Sequence, residues 1–180
     1  MKDFEKIVND FFNNIPCKSK KLYPEARVEY ENPRYAKLLM DAYADGGKSE
    51  FTAISQYLFH HFTIHIKEIS NAMLCIAISE MKHLELLGET IRLLGRSPKY
   101  RRGNRMWWNG GEVDYGDNIC FKLNLDIESE KAAISGYELL LSEIHDKYIR
   151  QTILRIIEDE KEHQKIFTNL YNKYCKYSKR

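Results

Sequence analysis

The sequence predicts an all-α fold, a four-helix bundle made of two helical hairpins joined by one long crossover. Three observations lead there. Apolar residues recur at helical spacing through four long stretches, with little period-two alternation that would indicate sheet. All four prolines, Pro16, Pro24, Pro33 and Pro98, lie outside those stretches. The connections are short within each half and long between the halves, as in a bundle of two antiparallel hairpins.

Taken in order, residues 1–32 form an N-terminal extension. Phe4, Ile7, Val8, Phe11 and Phe12 give its first part the pattern of a short amphipathic helix, and 16–33 reads as irregular. The bundle spans 33–175. Its first helix is expected over 33–64, kinked at Asp45-Gly46-Gly47. The second covers 67–95 and stops at Gly95, before Ser97-Pro98. The third covers 124–145 and the fourth 147–175. The crossover, about 96–123, contains Trp107-Trp108-Asn109-Gly110-Gly111 and far exceeds the ~2–8 residues usual between helices.

A chain of 180 residues suits one sizeable core. A net charge of +2 argues against nucleic acid or an anionic membrane as partner. The basic cluster Lys99, Arg101, Arg102 and Arg105 reads as a solvated loop rather than a phosphate site. No apolar run approaches the ~20 residues of a membrane span. The start, MKDFEKIVND, lacks the apolar core of a signal peptide. Cys17, Cys75, Cys120 and Cys175 are scattered and form no CxxC, which favours a reduced, cytoplasmic setting over a disulfide scaffold. Cys75 is expected to be a small core residue.

The chain partly repeats itself at a shift of 80 residues. Ser49-Glu50-x-x-Ala53-Ile54-Ser55-x-Tyr57 lies over Ser129-Glu130-x-x-Ala133-Ile134-Ser135-x-Tyr137, and Ser79-Glu80-x-x-His83 over Asp159-Glu160-x-x-His163. Each lone Glu precedes its ExxH by 30 residues, and the midpoints, 65 and 145, fall at the expected hairpin turns. Groups equidistant from a turn sit at one height. Docking the hairpins therefore brings Glu50, Glu80, His83, Glu130, Glu160 and His163 to one level.

That set is the donor pattern of a carboxylate-bridged dimetal site, one Glu from each of two helices and Glu-x-x-His from each of the others. Residues i and i+3 share a helix face, so each ExxH can present both side chains together. Two ions per chain, iron or manganese, suit such oxygen and nitrogen donors. Without metal, clustered carboxylates in a core are costly and partly protonate. Tyr57 and Tyr137, two turns beyond Glu50 and Glu130, are either hydrogen-bond partners of the ligands or core aromatics. Asp126 is either a further carboxylate near the site or a helix N-cap. His60, His61 and His65 are read as surface or turn residues.

At these residues the chain resembles the rubrerythrin and manganese-catalase branch of the ferritin-like superfamily. Asp159-Glu160-Lys161-Glu162-His163-Gln164-x-x-Phe167 is similar to the second ExxH of rubrerythrins. Asn32-Pro33-Arg34-Tyr35-Ala36-Lys37, followed by Glu50-x-x-Ala53-x-x-x-Tyr57-Leu58, resembles the first helix of manganese catalases. The likeness covers roughly 33–170. It implies Glu50 and Glu130 as terminal ligands, Glu80 and Glu160 as bridges, and His83 and His163 as one cap per metal. Two features depart from rubrerythrins: no rubredoxin-like module is expected here, and Ile127 and Ala133 flank Glu130 where a further Glu would stand.

The activity expected from this resemblance is rubrerythrin-like reduction of hydrogen peroxide, with electrons from a separate donor protein. The alternatives are manganese-catalase-like disproportionation and ferritin-like ferroxidase or iron handling with dioxygen. A homodimer or higher homo-oligomer is expected.

Overall fold

The computed structural model describes residues 2–102 and 106–176. Arg105, of the basic cluster, lies outside the described residues. Six α-helices are described: α1 (Lys2–Asn14), α2 (Pro33–Ala44), α3 (Glu50–Thr63), α4 (Lys67–Leu93), α5 (Ile119–Glu143) and α6 (Lys147–Tyr174). Helix α3 packs along α4, and α5 along α6, as two hairpins whose turns are 64–66 and 144–146. The ferritin-like bundle expected from the sequence is thus the fold.

Local chemistry sets the helix ends. Asn32 caps α2, accepting from the Arg34 and Tyr35 amides, with Pro33 in the first turn. Ser49 caps α3, Asn118 caps α5 and Asp146 caps α6. Gly95 (φ 84°) ends α4, and the Arg96 amide returns to the Ile91 carbonyl. The expected kink at Asp45-Gly46-Gly47 is a full break. Gly46 adopts φ 81°, which an L side chain disfavours. Its carbonyl accepts from both the Ser49 and Thr52 hydroxyls, so the chain restarts as a new helix.

The crossover is more ordered than its composition suggests. It holds a small antiparallel hairpin, β1 (Arg101–Arg102) with β2 (Met106–Trp107), and a 3-10 turn over Gly110–Glu112. Phe51 stacks on Tyr100 at 4.1 Å, and the Trp108 indole donates to Thr52 at 2.8 Å. These contacts dock the crossover against α3. Helix α5 begins five residues earlier than expected, capped by Asn118.

The cysteines overturn the reduced reading. Cys17–Cys75 and Cys120–Cys175 are disulfides, bridging sequence separations of 58 and 55. Cys75 is therefore a covalent anchor for the extension. The compartment argument drawn from scattered cysteines fails because folding, not sequence adjacency, pairs them. Among the described residues, no helix is long and apolar enough to cross a membrane.

Two apolar clusters fill the bundle. One contains Leu39, Leu87, Ile91, Tyr137, Ile153 and Ile156. The other contains Ile69, Met73, Ile76, Leu123 and Phe167. Both leave out the acidic and imidazole side chains described next.

Candidate metal centre

Helix α3 carries Glu50, α4 carries Glu80 and His83, α5 carries Glu130, and α6 carries Glu160 and His163. The hairpin geometry brings all six together, and none is more than 4% exposed. Donor atoms of Glu50, Glu80, His83 and Glu160 lie within 4.8 Å of one another, as do those of Glu80, Glu130, Glu160 and His163. Glu80 and Glu160 belong to both sets. His83 Nδ1 lies 2.7 Å from Glu80, 3.3 Å from Glu160 and 3.6 Å from Glu50. His163 Nδ1 lies 2.8 Å from Glu80, 3.1 Å from Glu160 and 3.8 Å from Glu130. Each set offers one imidazole nitrogen and three carboxylates, sharing two of them. This chemistry fits a pair of iron or manganese ions.

The protonation pattern of the metal-free cluster follows from burial. Burial, and then repulsion from Glu80 and Glu160, pushes Glu50 well above the usual carboxylate range. Burial and Glu160 do the same to Glu130. Burial would also raise Glu80, but the His163 and His83 charges outweigh it and hold Glu80 low. Burial would lower the imidazoles, yet the surrounding carboxylates, Glu80 first, raise both His83 and His163 well above their ordinary value. The upward shifts all act to lower the net negative charge of the metal-free cluster, favouring neutral Glu50 and Glu130 and positive imidazoles beside Glu80 and Glu160.

Two tyrosines cross between hairpins. Tyr57, on α3, donates to Glu130 of α5 at 2.5 Å, and Tyr137, on α5, donates to Glu50 of α3. Burial, then the neighbouring carboxylate, raises both phenols well above their ordinary value, so they stay donors. Of the two sequence readings, hydrogen bonding to the acidic residues describes them, although both are also packed in the core.

Asp126 is not an N-cap. It lies in the second turn of α5 and accepts from Gln56 at 2.9 Å, with His60 Nδ1 also at 2.9 Å. None of the six cluster residues is among its hydrogen-bond partners. His60 is a correction: it is fully buried, because it lies one turn past Tyr57 on the inward face of α3 and finds a carboxylate there. His61 is half-buried against Ser70, and His65 is exposed as expected.

The sequence reading missed Asp159 and Tyr23 as neighbours of the cluster. Asp159 approaches His83 Nε2 at 3.1 Å and is held by Arg155 at 2.6 Å, by the Tyr23 hydroxyl at 2.6 Å and by the Ser19 amide at 2.7 Å. Burial raises the Tyr23 phenol to about 12. The available signal was Asp159 itself, one turn before His163 and matched by Ser79 in the repeat. Tyr23 had no signal, since nothing in an irregular segment marks which aromatic turns inward.

A cleft of about 20 Å³ reaches the cluster between α3 and α5, past Gly47, Ser49, Gln56 and Ser129 to Glu50 and Glu130. That is room for about one small molecule of water size.

A family model for manganese-containing catalase matches residues 17–106, half of the chain. A probable manganese catalase from Clostridium acetobutylicum is 29% identical over 170 residues, spanning 83% of this chain and 75% of that one. A bacterioferritin from Desulfovibrio desulfuricans is 30% identical over 127 residues, 67% of each chain. Among solved structures, KatB, a manganese catalase from Anabaena, superposes with a TM-score of 0.80 at 23% identity, covering 89% of this chain and 81% of that one. At that identity the likeness is one of fold. The Desulfovibrio desulfuricans bacterioferritin, described with a diiron site, superposes with a TM-score of 0.66 at 27% identity, covering 77% and 78%.

Proposed function

The chain belongs to the manganese-containing catalase family, and we propose that it disproportionates hydrogen peroxide at a dimetal centre held by Glu50, Glu80, His83, Glu130, Glu160 and His163. The family and the buried Glu/His cluster make it a dimetal-carboxylate protein of iron or manganese; manganese is the metal proposed here. The reaction converts two peroxides to dioxygen and two waters, one peroxide giving up the two electrons that the other takes. The bound metal pair supplies that two-electron couple. Disproportionation is favoured over the donor-coupled, rubrerythrin-like reduction expected from the sequence, because the matching family model and the Clostridium acetobutylicum relative are manganese catalases.

The observation that carries the proposal is the buried Glu/His cluster in a chain that matches the manganese-containing catalase family, with a narrow cleft ending on Glu50 and Glu130. The cleft gives a small molecule a route to the acidic cluster. Within it, Tyr57 and Tyr137 fix the Glu130 and Glu50 carboxyls across the hairpin interface. Apolar packing lies on both sides of the cluster. Residues 33–175 form the unit that carries the site, and 1–32 supplies Tyr23 to it.

The test is oxygen evolution by manganese-loaded protein given peroxide alone. We expect one dioxygen per two peroxides, and loss of that activity in His83→Ala and Glu160→Ala. Peroxide consumption that requires a reduced rubredoxin-type donor would favour the rubrerythrin-like reading instead. Peroxide inertness with accumulation of iron would favour iron handling, the reading closest to the bacterioferritin relative.

A further inference from the structure

The two halves of the cluster match at every proposed ligand but differ behind the imidazoles. We propose that the two metal positions are unequal, the one at His83 binding more tightly than the one at His163, because Asp159 orients only the first imidazole. The inference rests on the dimetal reading above.

The repeat makes the comparison internal. Each histidine turns Nδ1 toward the carboxylates, which leaves Nε2 as the outward nitrogen. His83 Nε2 meets the Asp159 carboxylate at 3.1 Å. Asp159 is itself fixed by Arg155, Tyr23 and the Ser19 amide, so its position does not depend on His83. Cys17–Cys75 fastens the segment that delivers Ser19 and Tyr23. On the other side, His163 is fully buried and its Nε2 has no hydrogen-bond partner among the described residues. The residue that the 80-residue shift places opposite Asp159 is Ser79. Ser79 is buried, carries no charge, and its hydroxyl pairs with Tyr23 at 3.3 Å. The other buried carboxylate nearby, Asp126, is already taken by His60 and Gln56.

A carboxylate on the outer nitrogen fixes the ring orientation and tautomer of a ligating histidine and raises its basicity. Losing such a partner typically costs about 10–100-fold in metal affinity. The His83 position has this partner and the His163 position lacks it. Asp159 is thus a positioning residue for one metal only.

The experiment is a manganese(II) titration of metal-free full-length protein, followed by the free-ion electron paramagnetic resonance signal. Two uptake steps are expected, separated by about 10–100-fold beyond the statistical difference. His163→Ala should keep the tight step, and His83→Ala should remove it. Asp159→Asn should weaken the tight step and leave the weak one in place, which general loosening of the fold would not do. Ser79→Asp offers His163 the missing carboxylate and should strengthen the weak step, so the idea can still be tested if Asp159→Asn fails to fold. Two equal steps, or a tight step that survives His83→Ala, would overturn the inference while leaving the dimetal reading intact. No manganese uptake at all would overturn both.

Discussion

Loading the cluster should release protons, and their number can be worked from the buried side chains. In the metal-free protein burial favours the neutral form of Glu50 and Glu130, and the surrounding carboxylates favour the imidazolium form of His83 and His163. Glu80 and Glu160 are held as carboxylates, below their ordinary range. Metal binding requires carboxylates and neutral imidazoles. Whichever of these four residues holds a proton must lose it, so protons are released on loading, up to about four per pair of divalent ions. The sign follows: the four raised groups hold protons in the metal-free state, so acid favours that state and affinity falls as pH falls. The two-ion constant should therefore rise with pH, by at most about four log units per pH unit. Calorimetric titration in buffers of differing ionisation enthalpy reads the number directly. Glu50→Gln, which has no proton to give, should lower it by about one. A release of about one proton or fewer, or an affinity independent of pH from 6 to 8, would refute the charge assignment.

Three further outcomes are expected. Tyr57→Phe and Tyr137→Phe should each cost about 1 kcal/mol in urea unfolding, since each removes one buried hydrogen bond while keeping the ring. Breaking Cys17–Cys75 or Cys120–Cys175 by Cys→Ser substitution should cost about 2–4 kcal/mol each, given loops of 58 and 55 residues, and reducing agent should lower the melting temperature of the parent protein but not of a variant lacking both bridges. His60→Ala leaves Asp126 buried without its main partner and should cost about 3 kcal/mol or more, whereas His65→Ala, at an exposed position, should lie within about 0.5 kcal/mol of the parent.

The bundle and its acidic layer were legible because both are periodic. Helix length, turn position and the 80-residue repeat each constrain the others, and together they bring Glu50 and Glu130 to the level of the two ExxH pairs. What stayed hidden depends on pairing across the fold. Cys17 and Cys75 carry no local sign that they meet. His60 looked like a turn histidine, since its position near Ile64 is visible in sequence and its partner Asp126, 66 residues away, is not. Tyr23 sits in a stretch without regular hydrogen bonding, where no period says which side chains face inward. The break at Gly46 was legible as a weakness and became a full interruption because the Ser49 and Thr52 hydroxyls claim its carbonyl.

The crossed tyrosines have a consequence for how such a chain can arise. Tyr57 serves the other hairpin's Glu130, and Tyr137 serves Glu50 in return. A lone hairpin of this design would leave its tyrosine hydroxyl and its first glutamate unanswered, while two identical copies would satisfy each other around a twofold axis. The chain is built as such a dimer with its subunits fused end to end. Identical subunits must carry the same residue behind both histidines. Fusion lifts that requirement, and this chain uses the freedom near its centre at Ser79 against Asp159.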